Sequence, residues 1–180
     1  MSKQGKLTII VGDATRPQKQ APNEIAVITH CCNNKNIWGG GFVIALSKKW
    51  EKPEQVYRDF CTKDKTGYSS NYPVSRFPIL GKVCYAKIND HLAIANMIGQ
   101  DGIVSNDNPT PIKYKALADC MTEVMGYIEL IKMQTSNPVV IHSPKFGSLR
   151  ANGNWDFIME LIREIWLENG INVVIYEFKE

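Results

Sequence analysis

The chain has 180 residues, 44% of them hydrophobic and 22% charged, with a formal net charge of +3. A chain of this size buries one good core, and the composition excludes a disordered or low-complexity protein. The mild positive balance suits an anionic small molecule or a nucleic acid without choosing between them.

No apolar run reaches membrane-spanning length, and the opening MSKQGKLTIIVGD has no stretch long enough for a secretory signal. Cys31, Cys32, Cys61, Cys84 and Cys120 are five in number and follow no framework spacing. They are expected to be reduced thiols in a cytoplasmic protein with no membrane partner.

In chain order, Leu7 to Val11 is a short apolar run closed by Gly12-Asp13, which reads as a buried strand and a turn. EIAVITHCC, from Glu24, is a second strand rich in β-branched residues. After three glycines, Phe42 to Trp50 reads as a helix, and PEQVYRDFC from Pro53 as another with proline in its first turn. Gly67 to Pro78 reads as a loop. KVCYAKIND and LAIANMIGQ form a hairpin turning near Asn89-Asp90.

From Pro111 onward, Tyr114, Leu117, Met121, Val124, Ile128 and Ile131 recur at spacings of three and four, the signature of an amphipathic helix. PVVIH from Pro138 is a strand, Asn154 to Asn169 a helix stopped by Gly170, and NVVIYEF a closing strand. This alternation predicts an α/β protein with a central, mostly parallel sheet covered on both faces. Ligands of such sheets bind beyond the carboxyl ends of the strands. Three Gly/Asn-rich loops fall there: Gly12 to Thr15, Asn33 to Gly41, and Pro144 to Gly153.

Gly39-Gly40-Gly41 before a helix reads either as an anion cradle of exposed amides or as a tight strand-to-helix turn. It is neither a Walker loop nor a dinucleotide fingerprint, because both spacings fail. PKFGSLRANGNW repeats the pattern, and Arg150 adds a permanent cation to it. His30 ends its strand beside the glycines, where it reads as acid, base or nucleophile, or else as a packed strand residue. Cys31 and Cys32 do not make a metal site with it, since adjacent strand residues point to opposite faces and no second ligand pair exists. His91 and His142 read as structural.

The order of these pieces resembles a macro domain, a three-layer α/β/α sandwich around a mixed, mostly parallel sheet. The matching segments are VGDAT, ITHCCNNKNIWGGGF, IANMIGQ, VVIHSPKFGS with GNW, and VVIYEF. They span nearly the whole chain, so residues 1–180 are expected to form a single macro domain. His30, Asn33 and Trp38 to Gly41 look most like the small stand-alone branch, which includes phosphatases acting on ADP-ribose 1''-phosphate.

The resemblance implies that Asp13, with Ala14 beside it, takes the adenine amino group. Asn33 contacts the distal ribose, and Trp38, Gly39, Gly40, Gly41 and Phe42 form the first phosphate loop. Phe146, Gly147, Ser148, Leu149 and Arg150 form the second, with Tyr176 or Phe178 beside adenine. Leu149-Arg150 replace a common Gly-Leu pair, and Ala151 stands where related ester-cleaving macro domains carry an aspartate. The expected activity is metal- and cofactor-independent hydrolysis of ADP-ribose 1''-phosphate by a monomer, with His30 catalytic. The alternatives are removal of ADP-ribose from protein or nucleic acid, and a non-catalytic ADP-ribose reader. Nucleic acid enters only as an ADP-ribosylated substrate.

Overall fold

The computed structural model describes residues 3–62 and 79–179, so the expected loop from Gly67 to Pro78 lies outside the described residues. Six strands form one sheet: β1 (Leu7–Val11), β2 (Ile25–Asn33), β3 (Val83–Asn89), β4 (Leu92–Gln100), β5 (Val139–Pro144) and β6 (Asn172–Glu177). Their order is β1-β6-β5-β2-β4-β3. All pairs are parallel except the β3–β4 hairpin. That hairpin is the one predicted, and its turn is closed by the His91 amide donating to Asn89 Oδ1 at 2.8 Å.

β2 and β4 are buried almost throughout, as strands inside a sheet covered on both faces must be. β1 lies at the edge, with Ile9 and Val11 exposed. Alternate residues feed two layers. Val27, Met97, Ile141, Val173 and Ile175 pack with Leu117, Met121, Val124 and Ile128 of α3 (Tyr114–Gln134) and with Ile158, Ile162 and Trp166 near the chain's end. Ile28, Cys32, Ile94 and Ile98 face the other way, towards Leu46 of α1 (Phe42–Ser47) and Tyr57 and Cys61 of α2 (Lys52–Thr62). The result is the expected three-layer α/β/α sandwich.

Two helices differ from their predicted extents. α1 stops at Ser47, because the amides of Lys48, Lys49 and Trp50 fold back onto Ile44 and Leu46 as a turn. The last helix begins as α4 (Trp155–Leu161), capped by Asn154, whose side chain accepts from the Phe157 amide. It continues as a π-helical segment, Ile162–Leu167. The wider turn returns Trp166 to the face of Ile158 and Ile162, all fully buried. Gly170 at φ 79° then ends it in the left-handed region, as predicted. No described helix is long and apolar enough to cross a membrane.

Because β1, β2, β4, β5 and β6 run parallel, the carboxyl ends of all five meet at one end of the sheet. The segments after β1, β2, β4 and β5 therefore gather there, around residues 12–24, 34–41, 101–113 and 145–154.

Candidate functional site

The glycine loop is built on Asn33. Its Oδ1 accepts from the amides of Lys35 at 2.9 Å and Ile37 at 3.3 Å, and its Nδ2 donates to the Ile37 carbonyl at 2.7 Å. The Tyr57 hydroxyl lies 2.8 Å from the Asn33 carbonyl and 2.9 Å from its side-chain oxygen. One buried asparagine thus folds residues 34–37 around itself, a local use of the side chain in place of backbone pairing. Trp38 then turns inward, 8% exposed, with Nε1 donating to Ser47 Oγ at 2.8 Å and its ring 5.2 Å from that of Tyr57. Gly39 and Gly41 remain exposed and Gly40 half-buried. Gly41, at φ 72° and ψ −136°, occupies a region that is close to glycine-only. With only six residues in α1, the loop's own amides rather than a helix dipole make up the polar surface here.

His30 lies behind this loop. It is 1% exposed, and its Nε2 is 2.5 Å from Asn96 Oδ1, while Asn96 Nδ2 donates to the Pro53 carbonyl. That orientation of Asn96 puts the ring proton on Nε2. The rings of Trp38 and Phe42 cover the imidazole at centroid distances of 5.8 and 5.6 Å. Burial pushes its pKa down to about 4, against a smaller opposing effect of the Asn96 hydrogen bond, so the ring is neutral near pH 7. The structure therefore places His30 and Trp38 in the support of the loop, with the glycines as its exposed part.

The second loop leaves β5 through Phe146, which is 3% exposed and packs between Trp155 and Trp166. Gly147 (φ 73°) and Asn152 (φ 54°) are both left-handed. The Gly153 amide donates to the Gly147 carbonyl at 2.8 Å, and Ser148 Oγ donates to the Lys145 carbonyl at 2.8 Å. A Cβ on Gly153 would stand 2.5 Å from the Gly147 carbonyl oxygen, so the tight loop needs glycine there. Leu149 points outward, 85% exposed, whereas the Arg150 side chain lies against the first loop. A Cβ on Gly40 would be 2.5 Å from Arg150 Nη1, and one on Gly41 would be 2.9 Å from its Nε. β2 and β5 are neighbours in the sheet, which is why loops over a hundred residues apart touch.

After β1, Asp13 Oδ1 accepts from the amide and the hydroxyl of Thr15, each at 2.8 Å, and Oδ2 faces Arg16 Nε at 4.0 Å. Ala14 is buried against Val140, Val174 and Tyr176, leaving its backbone rather than its methyl for any ligand. Tyr176 is 2% exposed and lies behind this segment, while Phe178 is 72% exposed. The Tyr176 hydroxyl accepts from the Gln18 amide at 2.8 Å and donates to His142 Nδ1 at 2.7 Å. His142 Nε2 in turn is 2.6 Å from Glu24 Oε1, and Glu24 Oε2 accepts from the Gln20 amide at 2.6 Å. This interior chain clips the segment after β1 at two amides.

Several contributors carried no sequence signal. Lys49 Nζ donates to the Thr15 carbonyl at 2.6 Å, tying the end of α1 to the Asp13 turn. Asp101, after β4, accepts from Asn34 Nδ2 at 3.0 Å, and Asn34 Oδ1 accepts from the Gly102 amide at 3.0 Å. That hydrogen bond from Asn34 holds the Asp101 carboxyl below its usual range. The sequence Asn33-Asn34 was the one available hint, since adjacent asparagines at a strand end commonly build turns. Among the described residues, no group of three His, Cys, Asp or Glu side chains is placed to hold a metal ion.

The site as a whole is two glycine-bearing loops in contact, flanked by a carboxylate turn and an exposed aromatic. Exposed amides suit a diphosphate, a guanidinium suits a further phosphate, and a carboxylate suits an exocyclic amine.

No protein-family model matches the chain. Among solved structures, a Bacteroides thetaiotaomicron protein of unknown function is 34% identical with a TM-score of 0.80, the match covering 96% of this chain and 98% of that one. A Streptomyces coelicolor macrodomain protein is 28% identical with a TM-score of 0.73, covering 96% and 99%. The fold is that of the macro domains. The chain belongs to the macro domain family.

Two curated relatives bear on what such a chain does. The mouse chromodomain-helicase-DNA-binding protein 1-like is 30% identical over 175 residues, or 96% of this chain; the chain spans only 18% of that protein's length. The ADP-ribose 1''-phosphate phosphatase of Candida albicans is 23% identical over 125 residues, covering 68% of this chain and 70% of that one.

Proposed function

We propose that the chain binds ADP-ribose and hydrolyses ADP-ribose 1''-phosphate to ADP-ribose and phosphate. The observation that carries this reading is the meeting of the Gly39–Gly41 loop with the Gly147–Gly153 loop, exposed amides on one side and a guanidinium on the other. The exposed amides suit the diphosphate, and the guanidinium beside them suits a phosphate carried on the attached ribose. The Candida albicans relative bears the name of this activity, and a Thermosipho africanus structure with ADP-ribose shares the fold at a TM-score of 0.64.

In the reaction a water oxygen attacks the phosphorus of the monoester. The phosphorus–oxygen bond to the distal ribose breaks, and the ribose oxygen takes up a proton. Positioning and electrostatic stabilisation by the loops supply the rate, without a metal. Asp13 retains an oxygen not used by Thr15 for an adenine amino group, and Phe178 offers a ring face beside it. His30, buried and neutral, contributes by holding Trp38 and Phe42 under the loop. All five cysteines are free thiols, which supports a reducing, cytoplasmic setting.

Two observations favour a second reading, a reader without turnover: His30 is buried, and Ala151 is buried where related hydrolases carry a carboxylate. The deciding experiment incubates the protein with ADP-ribose 1''-phosphate, follows phosphate release, and titrates ADP-ribose separately by calorimetry. Release together with saturable binding is expected. Binding without release establishes the reader, and the absence of both overturns the ligand assignment.

A further inference from the structure

We propose that Arg150 sets the specificity of this site for a phosphate monoester on the distal ribose, so that the 1''-phosphate is preferred over ADP-ribose itself. The inference deepens the function proposed above and uses the same ligand. It starts from an imbalance of charge. Of the described arginines, Arg16 faces Asp13, Arg58 pairs with Glu54, and Arg163 pairs with Glu160 and Glu168. Arg150 has neither a carboxylate partner nor a hydrogen-bond acceptor among the described residues. Its guanidinium instead lies beside Gly40, and its Nε and Cδ lie beside Gly41. A fork of five donors, without a carboxylate partner among the described residues, sits where the two glycine loops meet.

The loop that carries Arg150 is held by the Gly153–Gly147 backbone bond, the Ser148–Lys145 bond and Asn152 Nδ2 donating to the Pro109 carbonyl. Within it Leu149 turns to solvent, whereas Arg150, itself exposed, extends along the Gly40–Gly41 backbone. Backbone amides serve the diphosphate, which is common to both ligands. A terminal monoester adds nearly two negative charges and three acceptor oxygens, the partner a planar guanidinium binds bidentately. The preference for the monoester therefore resides in Arg150, while the shared part of the ligand rests on the amides.

Gly40 provides an independent handle. Its φ is not among the positive ones, so the backbone accepts alanine, yet the new methyl would meet Arg150 Nη1 at 2.5 Å. The movable end of Arg150 yields, and Gly40→Ala displaces the guanidinium without touching its charge.

The test compares parent, Arg150→Ala, Arg150→Lys, Gly40→Ala and the Gly40→Ala/Arg150→Ala double variant. Two quantities are read: Kd for ADP-ribose, and kcat/KM for ADP-ribose 1''-phosphate, or its Kd where there is no turnover. Arg150→Ala is expected to weaken the 1''-phosphate term by about 10–100-fold, the usual worth of hydrogen bonds to a charged group. ADP-ribose affinity should change by less than about threefold on the same scale. Arg150→Lys should fall between parent and alanine, because the charge stays and the fork is lost. The double variant should be no worse than Arg150→Ala alone. Equal weakening of both ligands, or none, overturns the assignment while leaving the proposed function in place. A parent that binds neither ligand overturns both.

Discussion

At the scale of single residues, His30 shows how burial redirects a chemically able side chain. Its pKa is lowered from 6.5 to about 4 by desolvation. A histidine whose folded pKa is depressed stabilises the fold above its unfolded pKa, because between the two values the unfolded chain binds the extra proton. Stability is therefore complete above pH 6.5 and is lost as pH falls towards 4. The contribution is on the order of 3 kcal/mol. In His30→Gln this part of the acid sensitivity should vanish, which denaturant titrations at pH 7, 5.5 and 4.5 would read. Turnover of ADP-ribose 1''-phosphate should fall by less than about tenfold in the same variant. A fall of about 10²–10⁴, the usual worth of a positioned acid or base, would return the imidazole to the chemistry.

Among the elements, the segment after β1 is the one most dependent on a distant network. Its amides at Gln18 and Gln20 are held by Tyr176 on β6 and by Glu24, which are joined through His142 on β5. Tyr176, His142 and Glu24 are almost fully buried, so a hydrogen bond lost among them leaves its partner without water. Tyr176→Phe releases the Gln18 amide and orphans the buried His142 Nδ1, and should cost about 1–3 kcal/mol. Hydrogen exchange should accelerate at Gln18 and Gln20 but not at Lys35 or Ile37, whose amides are held separately by Asn33. ADP-ribose binding should weaken along with it, because the same segment presents Asp13. Unchanged exchange at Gln18 would show that the tyrosine hydroxyl holds nothing in place.

For the whole molecule, five parallel strands direct their carboxyl ends to one side, so a ligand there touches segments from four crossovers at once. Such a ligand binds only the folded chain. At about 100 times its Kd it should add about 2.7 kcal/mol of stability. For a domain of this size that raises Tm by about 5–10 °C. A thermal scan with ADP-ribose measures the shift, and adenosine alone should give a smaller one. Equal shifts from both would mean that the glycine loops do not engage the diphosphate.

The sequence by itself determined the strands, the long helix and the three loops. Their signals are local: short apolar runs closed by turn residues, three-and-four spacing from Tyr114 to Ile131, and glycine where the chain turns. Asn33 as the organiser of its loop was half legible, because an asparagine at a strand end bonds its own neighbours. What the sequence left open was which way a side chain looks. His30 lies on the β2 face that α1 and α2 cover, and its partner Asn96 is 66 positions away. Tyr176 or Phe178 was expected beside adenine; Tyr176 reaches across to Gln18, 158 positions distant, while Phe178 is exposed. Arg150 and Gly40 had no sequence relation at all until β2 and β5 paired. Local preference acts over a few residues, whereas burial and loop contact depend on strand order, and strand order is fixed only when both faces of the sheet close over their cores.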